Sequence, residues 1–117
     1  IAVHASWPLG AAVSRERAAD FAAIAAAARA ASLPVVVAGD FNVSPWSPHF
    51  EALLRAGTLR DAAAGRGWQP SWPTFLPPFG IQIDHALVSP SVQVNSFGRG
   101  RIQGSDHRPI LVDLVLP

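Results

Sequence analysis

A chain of 117 residues, half of them hydrophobic, with formal net charge +1 and neither Cys nor Lys, has the material for one domain built on a single core. The absence of Cys excludes a disulfide scaffold and a thiolate metal site. The nine basic residues are all Arg and are scattered, so despite a pI of about 9.3 the charge gives no electrostatic footprint for nucleic acid. Only Arg99, Arg101 and Arg108 lie near one another, as a cluster able to meet an anion.

In chain order, Ile1 to His4 (IAVH) reads as a short strand ending in a polar group, and SWPLG follows as a loop broken by Pro8 and Gly10. The abrupt apolar start without Met leads us to expect that the original protein continues upstream. His4 reads equally as a loop histidine or as a functional group at a strand end. Ser14 is placed to cap a helix running to about Ala31, with Glu16 and Asp20 near its positive end and Arg29 near its negative end. Phe21, Ile24, Ala25 and Ala28 recur at helical spacing and give this helix one packing face. Its Ala-rich run, around Ala22 to Ala28, is too short to cross a bilayer, and no basic region precedes a signal-like stretch at the N-terminus. The chain therefore reads as a soluble domain.

Pro34 ends the helix, and VVVAGDFN, Val35 to Asn42, follows as a buried strand delivering Asp40 and Asn42 at its carboxyl end. A bland alternative is that these two side chains only cap a turn. Strand, helix, strand makes a βαβ unit with parallel strands, which puts His4 and Asp40 on one sheet edge. Ser47, Pro48 and Gly57 then bracket a short helix with Phe50, Leu53 and Leu54 on one face, while His49 and Glu51 near its start read as solvated.

Periodicity fails from Thr58 to Gly80, a Pro- and Gly-punctuated loop carrying Trp68, Trp72, Phe75 and Phe79. Long loops in small domains tend to be functional. Here the aromatics are expected to plug a gap over the core, with lining of a substrate groove as the alternative. The last third is β: Ile81 to Ser89, Val92 to Phe97 and Ile110 to Leu116, with connections short enough for antiparallel neighbours. In the first of these strands Asp84 and His85 point to opposite faces, so only one of them belongs to a given site. Asp106 and His107 share a turn just before the final strand.

Three motifs thus stand in order: GDFN at 39 to 42, IDHALVS at 83 to 89 and GSDHRPI at 104 to 110. Together they resemble the endonuclease/exonuclease/phosphatase superfamily of deoxyribonucleases, abasic-site endonucleases, sphingomyelinases and inositol polyphosphate phosphatases. The resemblance covers residues 1–117 as the carboxyl-terminal portion of one such domain. It implies an α/β (α+β) fold, half of a four-layer α/β/β/α sandwich whose mixed β-sheet has helices on one face. It also implies a divalent-metal-dependent phosphoesterase. Asp40 would orient and deprotonate the water, Asn42 would donate to water or phosphate, His107 would contact phosphate oxygens, and Asp84 would hold the orientation of His107. His4 matches a second phosphate-facing histidine of the deoxyribonuclease and sphingomyelinase branches. Asp106 would be a carboxylate ligand to Mg²⁺ or Mn²⁺.

In the family the main metal ligand is a Glu of the amino-terminal half, which these residues do not supply, so the isolated chain is expected to bind metal poorly and to be inactive. The substrate, whether nucleic acid, phospholipid or inositol phosphate, is not resolved, and DNA repair is less favoured because QPSWPTFLPPFGIQIDH lacks the abasic-site pattern. A different class of function is a non-catalytic, truncated domain retained for binding or assembly. The residues themselves favour chemistry, since an Asp inside the apolar strand IQIDHALVS is costly unless something pairs with it, and His107 is its natural partner. Strands apolar on both faces, with one helix to cover them, further predict a bare sheet face that meets a missing partner segment or drives self-association.

Overall fold

The computed structural model describes residues 1–5 and 11–117; the loop expected at SWPLG lies outside the described residues. The elements are β1 (Ala2–His4), α1 (Ala11–Ala30), β2 (Val36–Asp40), α2 (Pro48–Gly57), β3 (Arg60–Asp61), a 3-10 turn (Pro77–Phe79), β4 (Asp84–Val88), β5 (Gln93–Arg99) and β6 (Ile110–Val115). A mixed four-stranded sheet has the order β1-β2-β4-β3, and β5 and β6 form a separate two-stranded sheet.

β1 and β2 run parallel with His4 opposite Asp40, as the βαβ reading requires. β4 is antiparallel to β2 and sets Asp84 opposite Asp40. Three strands therefore bring His4, Asp40 and Asp84 into one row at the sheet's end. Gly39 makes the first of these pairings possible. Its φ is +148°, and a Cβ there would lie 1.9 Å from the carbonyl oxygen of Val3; only glycine lets the two backbones approach so closely.

The sheet is covered on both faces by the alternation of its side chains. Val37 and Leu87 face the helices, where they pack with Phe21, Ala25, Phe50 and Leu53. Ala86 and, less deeply buried, Ala38 lie on the other side, in a smaller cluster of Ala62, Ala63 and Phe97 with Val94, Ile110 and Val112. The hairpin-like second sheet thus occupies the face expected to be bare. Apolar exposure falls further out, on β6, where Leu111 is 59% and Val115 46% exposed. Two arginines latch β5 in place: Arg60 Nη2 donates to the Val92 carbonyl at 2.7 Å and Arg66 Nη2 to the Val94 carbonyl at 2.6 Å.

Several local expectations are corrected. Ser14 lies inside α1 and not at its cap, because the alanines before it extend the helix to Ala11. Ser47 does cap α2, accepting from the His49 backbone N–H, but the left-handed residue that ends the helix is Thr58, at φ +53°, one position beyond Gly57. Part of the supposed loop from Thr58 is the strand β3, which pairs antiparallel with β4. β4 and β5, joined by a short connection, belong to different sheets, whereas β5 and β6 pair antiparallel as expected. Three of the four loop aromatics do not plug the core, with Trp68 41%, Phe75 72% and Phe79 79% exposed, while Trp72 is half-buried. Among the described residues no helix is long and apolar enough to cross a membrane.

Candidate functional site

At the end of the main sheet His107 stands between two carboxylates. Its Nδ1 lies 2.9 Å from Asp84 Oδ2, a hydrogen bond in which a protonated Nδ1 donates. Its Nε2 lies 3.9 Å from Asp40 Oδ2, too far for a hydrogen bond. The imidazole is thereby fixed from behind by Asp84 and presents Nε2 toward Asp40.

Asp40 sits in a balance of opposing influences. Burial pushes its carboxyl pKa above the ordinary value, the hydrogen bond from the Asn42 backbone pulls it down, the neighbouring Asp84 charge pushes it up, and His107 and His4 pull it down. The net direction is upward, which makes this carboxylate a better proton acceptor than a solvated Asp. The Asn42 N–H donates to Asp40 Oδ1 at 2.8 Å. Asn42 itself is left-handed, with φ +52°, and is 6% exposed. Its side-chain amide donates to the Ala5 carbonyl, tying the turn after β2 to the end of β1.

Asp84 is placed by a residue that the sequence did not single out. Ser71, 1% exposed, accepts from the Ile83 and Asp84 N–H groups at 3.2 and 3.1 Å, and its own carbonyl accepts from the Arg108 N–H at 2.8 Å. The same segment braces the turn that carries His107. Thr74 donates through its N–H to the Asp106 carbonyl at 2.9 Å and through its hydroxyl to the Ser105 carbonyl at 3.0 Å. Trp72 Nε1 donates to Asp106 Oδ2 at 3.0 Å. Only the aromatic content of this loop hinted at such a role, since nothing in sequence spacing ties residue 71 to residue 84.

The structure therefore brings together Asp40, Asn42, Asp84, His107 and His4. One ligating atom from each of Asp40, Asp84 and His107 lies within 4.8 Å of the others, so these three could share a cation. Asp106 stands outside that group: its carboxylate is exposed and is engaged by Trp72. Of the clustered arginines, Arg99 donates to the Pro70 carbonyl at 3.3 Å, while Arg108 lines an open cleft of about 320 Å³ with Asp84, Ser105 and His107. A cation beside His107 suits an anionic ligand there.

His85 points to the opposite face, as strand geometry demands. It is fully buried, packs edge-on to Phe41 at 5.6 Å and against Phe50 at 4.2 Å, and its Nε2 donates to the Val43 carbonyl at 2.8 Å. Burial lowers its pKa below the ordinary 6.5, only partly opposed by the Val43 hydrogen bond and by Asp61, Asp84 and Asp40. A histidine held neutral in the folded state and able to charge in the unfolded state stabilises the fold above its unfolded pKa and loses that contribution as pH falls below it. Urea unfolding is thus expected to show stability falling between pH 7 and pH 5, by at most about 1.4 kcal/mol per pH unit from this group. The His85→Gln variant should lack that component. An identical pH dependence in both proteins would refute it.

Comparison with known proteins points to one family. The endonuclease/exonuclease/phosphatase family model matches residues 2–107. A crystal structure of an endonuclease/exonuclease/phosphatase from Bacteroides vulgatus is 26% identical with a TM-score of 0.76, over 88% of this chain and 45% of that one. A mannosyl-6-phosphatase from Bacteroides thetaiotaomicron is 27% identical with a TM-score of 0.68, over 92% of this chain and 48% of that one. The human Nocturnin catalytic domain, solved with a bound sulfate anion, is 18% identical and shares the fold at a TM-score of 0.70, over 99% of this chain and 46% of that one. The chain spans about half the length of these solved structures. No curated protein gives a significant match.

Proposed function

Because this chain belongs to the endonuclease/exonuclease/phosphatase family, we propose that it is the carboxyl-terminal portion of a divalent-metal-dependent phosphoesterase domain that hydrolyses a phosphate ester with an activated water. One observation carries this reading: His107 is held between Asp84, at 2.9 Å, and Asp40, at 3.9 Å, beside a cleft that Arg108 lines. In the reaction Asp40 takes a proton from water as the water oxygen bonds to phosphorus. The ester P–O bond breaks and the leaving oxygen departs with the electron pair. His107, oriented by Asp84, donates from Nε2 to a non-bridging phosphate oxygen, and His4 faces the same row from β1.

The donor set fits a hard cation in part. Asp106 offers a surface carboxylate of the type Mg²⁺ and Mn²⁺ prefer, and we assign it as the ligand. Asp84 is committed to His107, and Asp40 to the water. When bound, the metal supplies neutralisation of charge on the phosphate. A single carboxylate holds such an ion weakly, and further ligands are proposed to come from the rest of the domain. The outward face of β6, with Leu111 and Val115, is the surface proposed to meet that remainder or a second copy.

Residues 1–117 alone are accordingly expected to be inactive, to associate in light scattering and to bind Mg²⁺ or Mn²⁺ weakly in calorimetry. The complete domain should release phosphate or cleave a diester from a panel of nucleic acid, phospholipid, inositol phosphate and sugar phosphate. A monomeric fragment with tight stoichiometric metal binding would overturn the half-domain reading. A complete domain inert on the whole panel would favour the binding-module alternative.

A further inference from the structure

Away from the carboxylate and histidine row, two tryptophans at distant positions in the chain stack on each other. The rings of Trp46 and Trp68 lie 4.8 Å apart at 19°, and yet 73% of Trp46 and 41% of Trp68 remain exposed. Large apolar rings left this open are not part of the core, and their mutual stacking holds them rigid at low entropic cost. They edge an open cleft of about 400 Å³ whose other walls include Asp61, Gln82 and Gly67.

The polar groups of this cleft are selective. Asp61 Oδ1 accepts the Ala63 N–H at 2.9 Å, which leaves Oδ2 as an acceptor, and among the described residues no cation pairs with this carboxylate. Gln82 is 2% exposed and its amide nitrogen is engaged at 3.3 Å by His85 Nδ1, so its carbonyl oxygen is what it can offer a ligand. Among the described residues no Arg or His lines the cleft, so it offers no cation to a phosphate, and the Asp61 carboxylate would repel one. What remains is a flat apolar platform with acceptors at its side. The matching ligand is neutral, has one apolar face and is rich in hydroxyl donors.

We propose that the Trp46–Trp68 cleft is a binding site for a pyranose sugar ring, with the C–H face of the ring on the indoles and its hydroxyls donating to Asp61 and Gln82. A nucleobase also stacks on indole, but a pyranose carries hydroxyl donors around its ring edge to meet both Asp61 and Gln82, where a base carries few. The cleft adjoins the strand that carries Asp84, two positions after Gln82, and the turn that follows Asn42. Sugar binding does not depend on hydrolysis, so the proposal stands or falls separately from the phosphoesterase reading.

Saturation-transfer NMR on the 117-residue chain with uncharged methyl mannopyranoside and methyl glucopyranoside tests it, with adenosine and cytidine as controls. Transfer to the ring C–H protons is expected for the glycosides. Trp46→Ala, at an exposed position that leaves the core untouched, should bind about tenfold more weakly. Trp46→Phe should recover part of the loss, and Asp61→Asn should weaken binding while chemical-shift dispersion shows the fold retained. No transfer to either glycoside, stronger transfer to the nucleosides, or unchanged binding in Trp46→Ala would each overturn the assignment.

Discussion

Asp40→Asn and His107→Ala, each made in the complete domain, are expected to lower turnover of a phosphate ester by about 10²–10⁴-fold while leaving the unfolding midpoint nearly unchanged. The first replaces a base with a group that cannot take a proton yet keeps its shape and its hydrogen bond from the Asn42 N–H. The second removes the imidazole that contacts both carboxylates and takes from Asp84 its hydrogen-bond partner. Asp84→Asn offers a graded comparison: it keeps His107 in place by a weaker hydrogen bond, so its loss should be smaller. Steady-state kinetics with thermal unfolding on the same samples separates chemistry from folding. Near wild-type rates in either of the first two variants would remove these residues from the mechanism.

The largest effect on stability is expected from one added methyl group. In Gly39→Ala the new Cβ would meet the Val3 carbonyl oxygen at 1.9 Å and its carbon at 2.8 Å, in a backbone conformation at φ +148° that side chains resist. Neither atom can move without breaking the β1–β2 ladder, because both clashes are with backbone. We expect a loss on the order of 3–5 kcal/mol, or no soluble folded protein. Urea denaturation measures it, and a variant within about 1 kcal/mol of wild type would show that β1 is dispensable. Because β1 carries His4 to its place opposite Asp40, activity would fall with it.

The sequence made the βαβ unit and the polar row at its end legible because both are local. Apolar β-branched runs, an Ala-rich helix and a Gly before Asp40 each declare themselves within a few residues. The pairing of Asp84 with His107 was also readable, since a carboxylate in an apolar strand demands a partner and the SDH turn supplies one. What stayed hidden was set by contacts between distant segments. β3 is two residues long, too short for any period, and exists because β4 offers it an edge. The separation of β5 from β4 depends on which face of the first sheet needs covering, which no window of sequence contains. Ser71 beneath Asp84 and the Trp46–Trp68 stack likewise join positions that only the fold brings together. The start of α1 was misplaced because Ser14 is a good capping residue, yet helix propensity carries the helix back to Ala11.

Asn42 has a consequence for how any of this is tested. Its amide ties the β2 turn to the end of β1, its backbone N–H holds Asp40, and its φ of +52° suits few other residues. A lost reaction in Asn42→Ala would therefore be ambiguous evidence, since the same change misplaces a base and loosens a strand. Asn42→Gly and Asn42→Asp divide the ambiguity: the first keeps the turn and drops the side chain, the second tolerates the turn and keeps an acceptor but cannot donate to Ala5. A genetic screen that ranked positions by damage alone would rate Asn42 beside Asp40. The rank would be right, though it would say nothing about which of them touches the substrate.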